Sequence, residues 1–102
     1  MTFGVFYDFC LTLCGADAHF PFDENTIAFK KKGKVFAIAN AKEFKFVNLK
    51  CDPIRSIELR EHHRGIKPGY HMNKKHWNSV YINEDVEDVL FYELIKHSYA
   101  LV

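Results

Sequence analysis

No lysine or arginine occurs in the first 29 residues of this 102-residue chain, which has only three cysteines, three prolines and one tryptophan. Nor does any apolar run approach the roughly 18 residues that a membrane-spanning helix requires, so no membrane partner is expected. Met1 to Leu13 lack a basic stretch ahead of an apolar one and a small-residue cleavage site. A signal peptide is therefore not expected, and the reading is cytoplasmic. Cys10, Cys14 and Cys51 are an odd number in no disulfide-framework spacing, which fits a reducing compartment. Cys10 and Cys14 lie four apart on one helix face and read as small buried hydrophobes rather than half a metal site.

The same sparseness argues against several enzyme classes. Lys32-Gly33-Lys34 lacks the further glycine and the following Ser or Thr of a phosphate loop. Cys51 closes an apolar run directly before a helix cap, where packing is a simpler role than nucleophilic attack. His62, His63, His71 and His76 cluster in sequence without a His-x-x-x-His or Cys-x-x-Cys partner. No metal, cofactor or catalytic residue is therefore assigned; the four imidazoles instead add positive charge below about pH 6.5.

What the chain does have is 48% hydrophobic content and ten phenylalanines, enough for one globular domain over residues 1–102. Its formal charge of +1 conceals segregation: residues 30–76 hold thirteen Lys or Arg against four acids, while each flanking segment is net −4. Such a central block can form a positive face that attracts phosphates, acidic proteins or anionic lipid.

Apolar spacing of three and four predicts a helix over 3–13, with Thr2 as N-cap and Gly15 as its stop. Gly15 to Asn25 reads as a loop in which Phe20-Pro21-Phe22 anchors the domain edge. Thr26 to Lys30 and Lys34 to Ala39 predict a hairpin turning at Gly33, followed by a strand over 44–49. Asp52 and Pro53 open a second helix as cap and first residue, with Ile54, Ile57 and Leu59 on its inner face. Arg60 and Arg64 suit the negative end of that helix. Ile66 to Tyr70 is a short edge strand and Trp77 to Ile82 another strand. Asp85 caps a last helix whose inner face carries Val86, Val89, Leu90, Leu94, Ile95, Ser98 and Leu101. Helices too few for parallel crossovers imply an α+β two-layer sandwich of order α-β-β-β-α-β-β-α, an antiparallel sheet with helices on one face.

The densest chemistry lies between Gly69 and Tyr81, where Asn73 to His76 form a polar loop ahead of a strand with Trp77, Ser79 and Tyr81 on one face. Lys74 and Lys75 can reach phosphates, Asn73 can position the loop or read a base edge, and Trp77 or Tyr70 can stack on a base. His71, His76, Lys67, Arg64 and the hairpin lysines Lys32 and Lys34 extend this candidate footprint. The bland alternatives are that Trp77 is a core anchor, that Asn73 caps its own turn, and that the hairpin lysines protect a sheet edge.

His71-Met72-Asn73-Lys74-Lys75-His76-Trp77-Asn78-Ser79-Val80 resembles the signature of the MmcQ/YjbR family, small bacterial proteins described as DNA-binding. Further blocks match in order: Phe20-Pro21-Phe22, Gly33-Lys34-Val35-Phe36-Ala37, Val47-Asn48-Leu49-Lys50-Cys51-Asp52-Pro53, Pro68-Gly69-Tyr70, and Ser98-Tyr99-Ala100-Leu101-Val102. The resemblance implies the same element order, shared in outline with small secretion chaperones. It also implies DNA binding, which the absent enzyme motifs make non-enzymatic and which contact through phosphates would make weak or non-specific. A protein-interaction or chaperone-like module is the alternative. Ser98 and Tyr99 in the last block are read as architecture.

Overall fold

A computed structural model of the chain describes residues 1–20 and 23–102. Helix α1 (Phe3–Thr12) leads into strands β1 (Ala16–His19), β2 (Thr26–Lys31), β3 (Lys34–Asn40) and β4 (Phe46–Lys50). Helix α2 (Pro53–His62), strands β5 (Ile66–Pro68) and β6 (Trp77–Tyr81), and helix α3 (Asp88–Ala100) complete the chain. The six strands form one sheet in the order β1-β2-β3-β4-β6-β5, and every neighbouring pair is antiparallel. The fold is thus the expected α+β antiparallel sheet, with one strand more than expected.

The added strand, β1, occupies residues read as loop. Ala16-Asp17-Ala18-His19 has no β-branched residue and only the weak alternation of two alanines, which pack against the core, so its extended form comes mainly from pairing along β2, Ala16 opposite Lys31 through His19 opposite Ala28. The proposed Phe20-Pro21-Phe22 anchor lies partly outside the described residues, at Pro21 and Phe22; Phe20 is exposed. Between β2 and β3 the turn uses two positive φ values, 52° at Lys32 and 78° at Gly33, the paired left-handed geometry that matches strand twist in a two-residue hairpin. Only the glycine had been expected to take that conformation.

The core lies between the sheet and the helices. Phe6 of α1 meets Phe29 of β2 edge-on, with ring centroids 5.4 Å apart, and Phe9 contacts Tyr92 of α3 at 4.6 Å. Thr2 caps α1 as expected, its Oγ1 accepting from the Val5 N–H at 3.2 Å. Cys10 is buried and its thiol is pushed up to about 12 by desolvation, whereas Cys14, read as buried, is exposed. Ser98 and Tyr99 have the architectural roles expected of them. The Ser98 hydroxyl donates to the Phe36 carbonyl at 2.5 Å and accepts from the Lys50 N–H at 2.8 Å, and the Tyr99 hydroxyl donates to the Cys14 carbonyl.

Two helix faces differ from expectation. In α2 the side chains turned inward are Ser56 and Leu59, three apart, while Ile54 is 72% exposed and Ile57 is also exposed. The Asp52 cap is as expected, its carboxylate accepting from the Arg55 N–H at 3.0 Å, and the packing of Ser56 and Leu59 leaves the isoleucines outward. In α3 the buried set is Phe91, Leu94, Ile95 and Ser98; Val89 and Leu101, assigned to that face, are exposed. Asp85 does not cap α3, whose N-cap is Glu87. Its carboxylate instead accepts from the Gly65 and Arg64 N–H groups, each at 2.8 Å, tying the turn after α2 to the loop before α3.

These placements predict two outcomes. Phe6→Ala should lose about 3–5 kcal/mol in urea denaturation, whereas Ile54→Ala should stay within about 0.5 kcal/mol. A large loss at Ile54 would contradict its outward orientation. The backbone bonds from Gly65 and Arg64 hold the Asp85 carboxyl below its ordinary pKa. Because the folded value is the lower one, ionised Asp85 stabilises the fold above the unfolded pKa of about 3.9 and loses that effect as pH falls through the folded value. Asp85→Asn should therefore lower the thermal midpoint at neutral pH, with the gap to wild type closing below about pH 4. A gap independent of pH would show that the carboxylate's charge is not responsible.

Candidate functional site

Strand alternation assigns Phe46, Asn48 and Lys50 of β4, and Trp77, Ser79 and Tyr81 of β6, to the face away from the helices. The register sets them opposite one another: Phe46 with Tyr81, Asn48 with Ser79, Lys50 with Trp77. The rings of Phe46 and Tyr81 are 5.1 Å apart and the Lys50 ammonium lies 5.7 Å from the Trp77 ring. The expected shared face for Trp77, Ser79 and Tyr81 is therefore present. Trp77 is only 8% exposed, so it serves as a packed anchor on this face and offers little ring surface to a ligand.

The middle pair carries a buried polar network. The Ser79 hydroxyl donates to Asn48 Oδ1 at 2.5 Å, Asn48 Nδ2 donates to the Tyr70 carbonyl at 3.1 Å, and the Tyr70 N–H donates to Ser79 Oγ at 2.9 Å. These bonds latch the 69–72 loop onto the sheet. Gly69 is required there, because a Cβ at that position would lie 2.8 Å from the Cβ of Trp77. The Lys74 ammonium closes the loop from its other side, donating to the carbonyls of Gly69 at 2.6 Å and Met72 at 3.1 Å. Arg60 of α2 donates to Asn78 Oδ1 at 2.8 Å and to the Lys74 carbonyl.

The latched loop and the sheet enclose an open groove of ≈ 590 Å³, floored by Val35, Ile38 and Phe46 and walled by Tyr70, His71 and Met72. Tyr70 is 56% exposed, and its ring stands edge-on to Phe46 at 5.8 Å and to His71 at 4.1 Å. His71 has φ 57°, in the left-handed region that few non-glycine residues occupy.

The sequence-derived site residues divide by role. Asn73 caps its own turn, its Oδ1 accepting from Lys75 and His76 N–H. Lys74 is engaged by carbonyls, while Lys75 projects outward with no side-chain partner among the described residues. Lys32 and Lys34 are exposed at the β2–β3 tip, and the registers of β2, β3, β4 and β6 bring that tip to the same end of the sheet as Lys50, Lys75 and His76. His76 is exposed and borders a smaller hollow of ≈ 310 Å³ with Lys50 and Cys51. Lys67 lies on the edge strand β5, opposite Ser79 and 5.2 Å from the Tyr81 ring. Arg64 sits at the far end beside Asp85, a strand's length from Lys75. Sequence reasoning missed Asn48, Ile38 and Phe46; the available signal was a polar residue inside an apolar strand, Phe46-Val47-Asn48-Leu49-Lys50, facing Ser79 in another.

A three-helix, six-strand antiparallel α+β fold with this loop-covered face defines the class, and comparison with known proteins specifies it. The family model YjbR matches residues 11–101, and the chain belongs to the YjbR family. It is 43% identical over 83 residues to the uncharacterized protein YbdF of Escherichia coli O157:H7, covering 80% of this chain and 68% of that one. With the uncharacterized protein YjbR of Escherichia coli K12 the identity is 30% over 100 residues, covering 97% and 85%. The crystal structure of the Deinococcus radiodurans protein DR2400, a DUF419 domain, superposes with a TM-score of 0.93 at 37% identity over 99% of this chain and 78% of that one.

The latch predicts that Asn48→Ala leaves the Tyr70 carbonyl without its donor and the Ser79 hydroxyl proton without its acceptor, and costs about 1–3 kcal/mol in urea denaturation. It should also speed hydrogen exchange at the Tyr70 amide. Unchanged stability and exchange would show that the loop is held by other contacts.

Proposed function

We propose that this chain is a non-enzymatic binding domain that takes DNA, weakly and without sequence preference, on the cationic end of its sheet. The supporting observation is the shared placement of Lys32, Lys34, Lys50 and Lys75, which come from three separate segments. Cations at one end of a sheet can follow a phosphate backbone without reading bases. Lys67 extends the footprint along the open face; Arg64 at the other end does not. Helix α2 is followed by a strand rather than a recognition helix, which favours loop and strand contacts over insertion into the major groove. The non-enzymatic part of the reading is supported at Cys51, where burial raises the thiol pKa and disfavours a thiolate nucleophile.

A protein-interaction role is favoured by a different observation, the exposed Ile54 and Ile57 on the outer face of α2. The two readings differ in which substitutions matter. Under DNA binding, fluorescence anisotropy with labelled duplex should give a Kd on the order of 10⁻⁴ to 10⁻⁶ M that weakens linearly on a log–log salt plot. Lys32→Glu/Lys34→Glu/Lys75→Glu should abolish it, while Ile54→Ser/Ile57→Ser leaves it unchanged. Lys74→Glu is unsuitable because it also opens the loop. Absence of binding at low salt would remove the DNA reading.

A further inference from the structure

The 590 Å³ groove lies within the range of small-molecule sites, and its shape and surroundings restrict its occupant. Its floor is aliphatic and aromatic, and its rim is an exposed tyrosine held upright by Phe46 and His71, so a flat ring is the complementary shape. The charge around it is uneven. Lys30 stands opposite the lining residue Val35 in the register, and Lys50 lies on the same face two residues beyond Asn48. Acidic residues at this end are Asp17, opposite Lys30, and Asp52, which borders the smaller hollow beside Lys50. A ligand with an aromatic ring in the groove and anionic groups toward the hairpin tip satisfies both features.

One polar group within the groove can orient such a ring. Asn40 Oδ1 accepts from the Lys42 and Glu43 N–H groups, which leaves its amide N–H₂ without a partner among the described residues. The loop wall is also tied down by bonds within the protein itself, the Asn48–Ser79–Tyr70 latch and the Lys74 ammonium. Preorganisation of this kind lowers the ordering cost of binding.

From this geometry we infer that the groove receives an unpaired nucleobase stacked against Tyr70, with the adjoining phosphates on Lys30 and Lys50, so that the preferred ligand is single-stranded DNA. The inference rests on the nucleic-acid reading above and narrows it. Bases in a duplex are stacked and paired, so duplex DNA can engage the lysines but not the groove. Stacking on an aromatic side chain contributes about 1–3 kcal/mol per base.

The test is anisotropy titration of the full chain with a labelled oligothymidylate of about a dozen nucleotides and with a duplex of the same length, at fixed salt. Single strand should bind more tightly than duplex. Tyr70→Ala should weaken single-strand binding by about 5- to 150-fold, leaving duplex binding and the salt slope unchanged. Tyr70→Phe should retain wild-type affinity. Backbone amide shifts of the unaltered protein supply a measurement independent of mutant folding: single strand should perturb Val35, Ile38, Tyr70 and Met72, and duplex should not. Equal affinity for both forms with no perturbation of the groove overturns the inference while leaving the cationic-end proposal intact. Absence of binding to either form at low salt overturns both.

Discussion

The open side of this protein depends on one constraint, that Asn48 and Ser79 are buried polar groups on a face without helices and need partners there. Each satisfies the other, and the backbone of Tyr70 satisfies both. A buried polar group without a hydrogen bond is costly, so the 69–72 loop is drawn down onto the sheet. Its position in turn sets the exposure of Tyr70, the left-handed backbone of His71 and the depth of the groove. Trp77 and Lys74 support the same arrangement, one from below as packing and the other by closing the loop's carbonyls.

This division of labour explains why adjacent residues in the Gly69-to-Tyr81 stretch have unrelated roles. Asn73 and Lys74 maintain the local shape, whereas Lys75, one residue further on, is directed to solvent. Lysines in a loop are equivalent in a sequence pattern because both are cationic and helix-neutral. Only the distance to the Gly69 and Met72 carbonyls separates them. The same holds in the first hairpin, where the Lys31 ammonium turns to the helix side and donates to the Tyr99 carbonyl at 3.2 Å while Lys32 and Lys34 stay exposed.

Much of the fold was legible in the sequence because its signals are local. The Thr2 and Asp52 caps, the Lys32-Gly33 turn and the two-residue periodicity of 77–81 each report on a few neighbouring residues. Strand β1 was not legible, since its conformation is imposed by the edge of β2. The inward rotations of α2 and α3 were misjudged for a related reason: isoleucine or valine at a helical position reports hydrophobicity, not the direction of the sheet. Asp85 was read as a helix cap because it precedes an apolar-periodic segment, but its acceptors are used by amides twenty residues upstream. Of the site, the loop and Tyr70 were evident, whereas the groove required the alignment of β3 with β4 and so depended on tertiary structure.

The Ser98 hydroxyl has a wider consequence. The β2–β3 register shifts near Phe29 and Lys30, and β3 pairs with β4 through Ala37, Ile38 and Ala39. Beyond that run, the Phe36 carbonyl and the Lys50 amide are joined through a side chain of α3 instead of directly. One rung of the sheet is thus supplied by a helix. The interval between the hairpin tip and Lys50 is consequently gauged by the seating of α3, and a shift of that helix would alter the spacing of cations at this end through the backbone, with no contact to their ammonium groups.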